Sequence, residues 1–273
     1  VQVTPAKDWK FGENIYRMAH YPRGKCIIIN NKEFGGHAQQ REGSELDVCH
    51  MKALFKALHF DCTVYSDLPA SDMKAVLAQA ARQEQQQQAD CLVVVLMSHG
   101  SHDVIDGADG EQLDLRRDVY ELFSNENCPS LQGKPKLFFV QSCRGGKLDG
   151  GMGSLWPHTT DASSVTTRSP HQSSNVGEYK RTLWSDMFIA YATVPGYVTL
   201  KNRVTGSWFL SAVYTVFSEH ASTMHLEKLM RLVQKAVLSR SSRDGGRQTP
   251  SMELRGWIKK LYFNPGLCVA PRP

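Results

Sequence analysis

The chain has 273 residues and a formal net charge of +5, with 41% hydrophobic and 22% charged residues, an ordinary globular balance. Its basic residues are scattered and not interleaved with aromatics, which argues against nucleic-acid binding, and no apolar run reaches the ~18–20 residues of a membrane helix. Such a length fits one large α/β domain or two small ones.

Seven cysteines (26, 49, 62, 91, 128, 143 and 268) are widely spaced, with no C-x-x-C pair. That argues against a disulfide framework and a structural zinc site, and for reduced thiols in a cytoplasmic protein. No cofactor is implied, and no metal: "HGSH" (99–102) offers two ligands without partners. The opening residues lack the layout of a signal peptide, and the first is not Met, as in a trimmed or processed form.

In chain order, the first strand is predicted over "KCIIIN" (25–30). A helix follows from Ser44, with Leu46, Met51, Leu54, Phe55 and Leu58 on one face, Ser44 placed to cap it and Asp47 at its third position. "CTVYS" (62–66) and "CLVVVLM" (91–97) are strands around a helix over about 70–84, and "QEQQQQ" (83–88) reads as that helix's solvated end. A helical pattern over 114–124 leads to the strands "KLFFVQ" (136–141) and "MFIAYATV" (187–194). Helices over 208–219 and 224–239 follow, then a polar break (239–250) and a last strand, "KKLYFN" (259–264). Nearly continuous apolar strands alternating with helices predict an α/β fold, with a mainly parallel sheet covered on both faces. From Gly145 to Arg181 the chain is rich in Gly, Ser, Thr and Pro without aliphatic periodicity. A loop that long within one domain is usually functional or disordered. It divides a larger N-terminal part from a smaller C-terminal one.

Ligands of an open parallel sheet bind at the carboxyl ends of its strands. Two strands end there in reactive residues: "CLVVVLMSHG" in His99-Gly100 and "KLFFVQSCRGG" in Cys143. A cysteine at a strand end is either core filler or a nucleophile. As a nucleophile it needs an imidazole to ionise it and to protonate the leaving amine. It also needs backbone N–H groups for the oxyanion, which Gly100 and Cys143 can supply.

"SHG" followed by "QSCRGG" resembles the caspases, whose nucleophile stands in Gln-Ala-Cys-Arg-Gly with a histidine ~50 residues upstream. The likeness covers nearly the whole chain. "YPRGKCIIINNKEF" (21–34) is similar to the family's first strand and "REGSELD" (41–47) to its Arg-x-Gly-[Ser/Thr]-x-x-Asp. "GYVTLKN…GSWF" (196–209) is similar to its Gly-Tyr-x-Ser-Trp-Arg-Asn…Gly-Ser-Trp-Phe, and "RQTPSMELRGWIKKLYF" to its closing segment. The tone of the C-terminal half is nearest to invertebrate initiator and cell-death members.

The resemblance implies a caspase-like three-layer sandwich on a six-stranded sheet. It implies a cysteine endopeptidase cutting after aspartate in apoptosis, made as a zymogen and cut autocatalytically. Cys143 would be the nucleophile and His99 the acid/base, with Gly100 and Cys143 forming the oxyanion hole. Arg41 and Gln141 would hold the substrate carboxylate, and Val198, Thr199, Leu200 and Lys201 would line the substrate strand. Lys201 replaces the family's arginine and cannot fork onto a carboxylate. Leu200 replaces a flat Trp, and Ser142 adds a hydroxyl where the family has Ala. These departures predict an active protease with relaxed aspartate preference that also accepts glutamate.

The resemblance further implies a large subunit (1–161), an inter-subunit linker (145–181) and a small subunit (182–273), together one catalytic domain. Cut sites would be Asp161, Asp149 or Glu178, with Asp161 favoured as deeper in the loop. Subunit pairs would dimerise along a small-subunit edge strand, assigned to "KKLYF", because an apolar edge wants a partner. Partners would be protein substrates with an acidic residue before the cut; an adaptor would act through an N-terminal prodomain that this chain lacks. Two rival readings stand beside this one. One is a caspase-like regulator that binds without cutting; the other is a different cysteine hydrolase on the same sheet, with no need of Arg41 and Gln141.

Overall fold

The computed structural model describes residues 2–82, 88–151, 182–202 and 204–268. It opens with β1 (Lys25–Asn30), α1 (Ser44–Ala57), β2 (Asp61–Ser66), α2 (Ala70–Arg82) and β3 (Leu92–Met97). A small antiparallel ribbon follows, of β4 (Gly100–Ser101), β5 (Val104–Asp106) and β6 (Gln112–Asp114). Past this ribbon come β7 (Lys136–Gln141), β8 (Met187–Tyr191) and the hairpin of β9 (Lys201–Asn202) and β10 (Gly206–Ser207). The chain closes with α3 (Trp208–His220), α4 (Leu226–Leu238) and β11 (Ser251–Arg255).

The main sheet has the order β11-β8-β7-β3-β1-β2, parallel except for β11, which runs antiparallel to β8. Every residue of β3 and β7 is buried, so both faces of these central strands are covered. Alternation along the strands feeds two cores. Val93, Val95 and Phe139 meet Met51, Leu54, Phe55, Phe209, Val213, Phe217, Leu229 and Val233 of α1, α3 and α4. Val94, Leu96, Phe138 and Val140 meet Met73, Leu77, Val119, Tyr120 and Phe123 on the other face. This is the predicted three-layer α/β sandwich.

Four details differ from the sequence reading. The pattern over 114–124 forms a π-type turn (Leu115–Val119) running into a 3-10 turn (Tyr120–Phe123). Ser44 does not cap α1: Gly43 occupies the N-cap at φ 82°, and the Ser44 hydroxyl accepts from Asn30 Nδ2 at 3.1 Å. "KKLYFN" is not a strand. Leu261 and Phe263 are core residues on irregular backbone, held by an Ile15–Lys260 bridge and by Leu226 N donating to Leu261 O at 2.9 Å. On that side the sheet ends in β11 instead, so the edge assigned to "KKLYF" moves to Ser251–Arg255. Most of "QEQQQQ" (83–87) and most of the long loop (152–181) lie outside the described residues. No helix among the described residues is long and apolar enough to cross a membrane.

Candidate active site

Parallel pairing of β3 with β7 sets Met97 opposite Gln141, so His99 and Cys143, two residues further along each strand, leave the sheet at the same level. The pairing persists past the strand ends through Ser98 N donating to Gln141 O at 3.3 Å. Gly100 turns the chain tightly beside Ser142. A Cβ there would lie 2.5 Å from Val104 O and 3.3 Å from Ser142 Cβ, so only glycine fits.

His99 is oriented on two sides. Its ring lies 4.7 Å from that of Phe34, and its Nε2 is 2.6 Å from Gln39 O. A carbonyl can only accept, so Nε2 carries the proton, and in the neutral ring Nδ1 is the acceptor. Cys143 is half-buried. Its Sγ accepts from Thr199 N at 3.4 Å and lies 3.6 Å from Thr199 Oγ1.

Thr199 reaches Cys143 because residues 144–147 zip against 196–198. Arg144 N donates to Tyr197 O at 3.0 Å, Gly196 N to Arg144 O at 2.7 Å, and Val198 N to Lys147 O at 2.9 Å. A Cβ on Gly145 would come within 2.4 Å of Gly196 backbone, which explains the glycine after Cys-Arg. Arg144 itself turns inward, donating to Asp103 at 2.6 Å and stacking 4.0 Å over the Tyr191 ring.

The predicted carboxylate-binding pair is buried. Arg41 donates from Nη1 to Asn30 Oδ1 at 3.1 Å and to Asn31 O at 2.9 Å. Burial brings its pKa down to about 10, opposed by the nearby Asp47 and Cys143. Gln141 is buried too, with an Oε1 that has no hydrogen-bond partner among the described residues. A buried cation beside a thiol is suited to an acidic side chain, whose desolvation needs charge-assisted partners.

The family model for the caspase domain matches residues 23–262. The chain belongs to the caspase family. It is 33% identical over 256 residues to caspase-7 of Gallus gallus, an alignment covering 91% of this chain and 79% of that protein. It is 31% identical to caspase-2 of Gallus gallus (82% of this chain, 53% of the relative). Caspase Dronc of Drosophila melanogaster is 30% identical (92% and 58%). The chain thus spans between about half and four fifths of these relatives' lengths.

Set against the caspase pattern, the segment around Leu200 and Lys201 is where this chain differs. Lys201 is exposed at the start of β9, and its charge acts on Asp47. Leu200 is half-buried against the core, with both backbone groups already used: its N–H goes to Gln248 Oε1 at 2.6 Å and its C=O receives Trp208 N at 3.1 Å. Gln248 is itself tied to Ala192 O at 2.8 Å. In an extended segment the neighbouring backbone groups, those of Thr199 and Lys201, face the other way. Asp47, across the chain in α1, accepts from Ser207 N at 3.0 and 3.2 Å, fixing the start of α3.

Sequence reasoning missed Gln39, Gln248 and the long reach of Asp47. Gln39 contributes only a carbonyl, so no residue type could announce it. Of the predicted cut sites, Asp161 and Glu178 lie outside the described residues. Asp149 is bridged to Arg247, its C=O accepting from Arg247 N at 2.7 Å. A protease would have to free that backbone before cutting there.

Proposed function

We propose that this chain is a cysteine endopeptidase that cuts peptide bonds after aspartate, and less strictly after glutamate, acting in the cytoplasm in programmed cell death. The observation that carries the reading is the shared level of His99 and Cys143 at the ends of paired strands, with His99 Nε2–H given to Gln39 O. That bond leaves Nδ1 to take the thiol proton. The Cys143 thiolate then attacks the carbonyl carbon of the scissile bond. The N–H groups of Gly100 and Cys143 hold the oxyanion, and the imidazolium protonates the leaving amine. Water, deprotonated by the same histidine, releases the acyl group. Arg41 and Gln141 bind the acidic side chain before the cut, and Val198, Thr199, Leu200 and Lys201 present the strand against which the peptide lies.

In the described state the thiol is capped by Thr199. Substrate entry would move this segment off Cys143, and a cut in the 145–181 linker, at Asp161 first, would free it to move. A linear chain of large and small subunits would thereby mature, and two copies would pair along β11, where Leu254 and, just past the strand, Ile258 are exposed. An aspartyl fluoromethylketone should label the chain, and Cys143→Ala should abolish the labelling. A folded chain that takes no label would favour the non-cutting regulator, a reading the exposed Lys201 and capped thiol also suit. With a peptide panel differing only in Asp, Glu and Asn before the cut, Glu should be cut measurably and Asn not. An undetectable rate on Glu would remove the relaxed-specificity part.

A further inference from the structure

At the amino ends of β1 and β2, away from Cys143, two cysteines face each other. Cys26 and Cys62 are in-register partners on these adjacent parallel strands. In-register partners project from the same face of a sheet. Neighbouring strands lie ~4.8 Å apart, inside the ~4.4–6.8 Å Cα separation that a disulfide spans. Both side chains point to the α1 side, where Cys26 belongs to the core and Cys62 packs at its margin. Cys26 is wholly buried; Cys62, on the sheet's edge strand, is half-exposed.

The two side chains stand side by side across the strand pair. Cys62 Sγ points at Phe60 O at 3.6 Å and at Lys52 O at 3.8 Å. The adjoining Cys26 side chain first, then the Lys56 and Lys52 ammonium groups, hold the Cys62 thiol below its ordinary pKa, while burial pushes that of Cys26 well up. An accessible thiol near cations, backed by a buried one, is the arrangement of an attacking and a resolving sulfur.

We propose that Cys26 and Cys62 form an oxidisable dithiol that a hydroperoxide closes to a disulfide between β1 and β2. The Cys62 thiolate attacks one peroxide oxygen; the O–O bond breaks, hydroxide leaves, and a sulfenic acid forms. The Cys26 sulfur then displaces the sulfenic hydroxyl, which departs as water with the Cys26 proton. Overall, two thiols lose two electrons and two protons, and one hydrogen peroxide becomes two waters. A dithiol reductant reverses the step.

The test is to expose the full chain to graded hydrogen peroxide, block remaining thiols with N-ethylmaleimide, digest without reduction and identify linked peptides by mass. The expected product joins the Cys26 and Cys62 peptides with the loss of two hydrogens, and disappears on treatment with dithiothreitol. It should form equally in Cys143→Ala. Cys62→Ser, at a half-exposed edge position, should lower its yield to background while circular dichroism stays unchanged. Cys26→Ser should accumulate a dimedone-reactive sulfenic acid at Cys62. The proposal is overturned if Cys62 is over-oxidised while Cys26 stays maleimide-blocked, or if Cys26 links instead to Cys91.

Discussion

Asp47→Asn separates the electrostatic cost of the β9–β10 hairpin's anchor from its hydrogen bond. Asp47 is 2% exposed, and burial raises its carboxyl from an ordinary 3.8 to about 6, against the pull of the Ser207 N–H, Arg41 and Lys201. A folded pKa above the unfolded one means the native state binds the proton more tightly. This group's contribution to stability is therefore greatest below pH ~4 and falls as pH rises through the folded value. The two-unit shift corresponds to ~3 kcal/mol at neutral pH, of which ~1 is already present at pH ~4.5. Asparagine keeps an acceptor for Ser207 N–H and never ionises, but its new NH2 is poorly satisfied, at a cost of ~1 kcal/mol. Urea unfolding followed by tryptophan fluorescence should show the variant equal to the parent near pH ~4.5 and more stable by ~2 kcal/mol near pH ~7.5. Comparing the two proteins at each pH cancels every other titrating group. A stability difference that stays within ~0.5 kcal/mol over that range, or that favours the parent at neutral pH, would refute the reasoning.

Ser142 has a buried hydroxyl with no partner among the described residues, so Ser142→Ala should raise the urea midpoint by the equivalent of ~1 kcal/mol without slowing fluoromethylketone labelling. Gly100→Ala forces a Cβ to 2.5 Å from Val104 O and should slow that labelling ~100-fold or more, with circular dichroism confirming a folded chain. Gln248→Leu strips partners from Leu200 N and Ala192 O and should destabilise by ~2–4 kcal/mol, read from the same urea transitions. Arg41→Lys keeps a charge but loses the fork, so cleavage of Asp peptides should fall ~10–100-fold while the Asp-to-Glu ratio moves toward one.

The strands that carry the two reactive residues were legible because burial writes itself into sequence. β1, β3, β7 and β8 are continuous apolar runs, and in the structure all but Lys25 of their residues are buried. β11 was not legible for the same reason turned round. Its "SMELR" is half to fully exposed, held to the sheet by backbone bonds to β8 on one side only. "KKLYF" looked like a strand because Leu261 and Phe263 are core residues, yet apolar alternation reports burial and not ladder pairing. Composition singles out 145–181 as a loop but names no cut site, and most of it lies outside the described residues.

The candidate site divides along a related line. Cys143, His99, Arg41 and Gln141 could be nominated from sequence because the chemistry proposed for them lies in the side chain. Gln39 could not, because any residue has a carbonyl; what matters is that the loop after Phe34 returns to His99, a property of the fold. Asp47 was read through a local rule, as the third residue of a capped helix, whereas its carboxylate ends 160 positions away on Ser207. That contact ties α1 to the hairpin carrying Lys201. Gln248, from just before β11, grips the same hairpin at Leu200. The β9–β10 hairpin and Leu200 before it are thus held from α1 and from the segment before β11, as well as by the bonds of Val198 and Thr199 to Lys147 and Cys143. The replacement of arginine by Lys201 therefore sits on a braced scaffold beside the Asp47 charge. On the proposed function, a change at Lys201 should alter how an acidic side chain is held while leaving His99 and Cys143 in place.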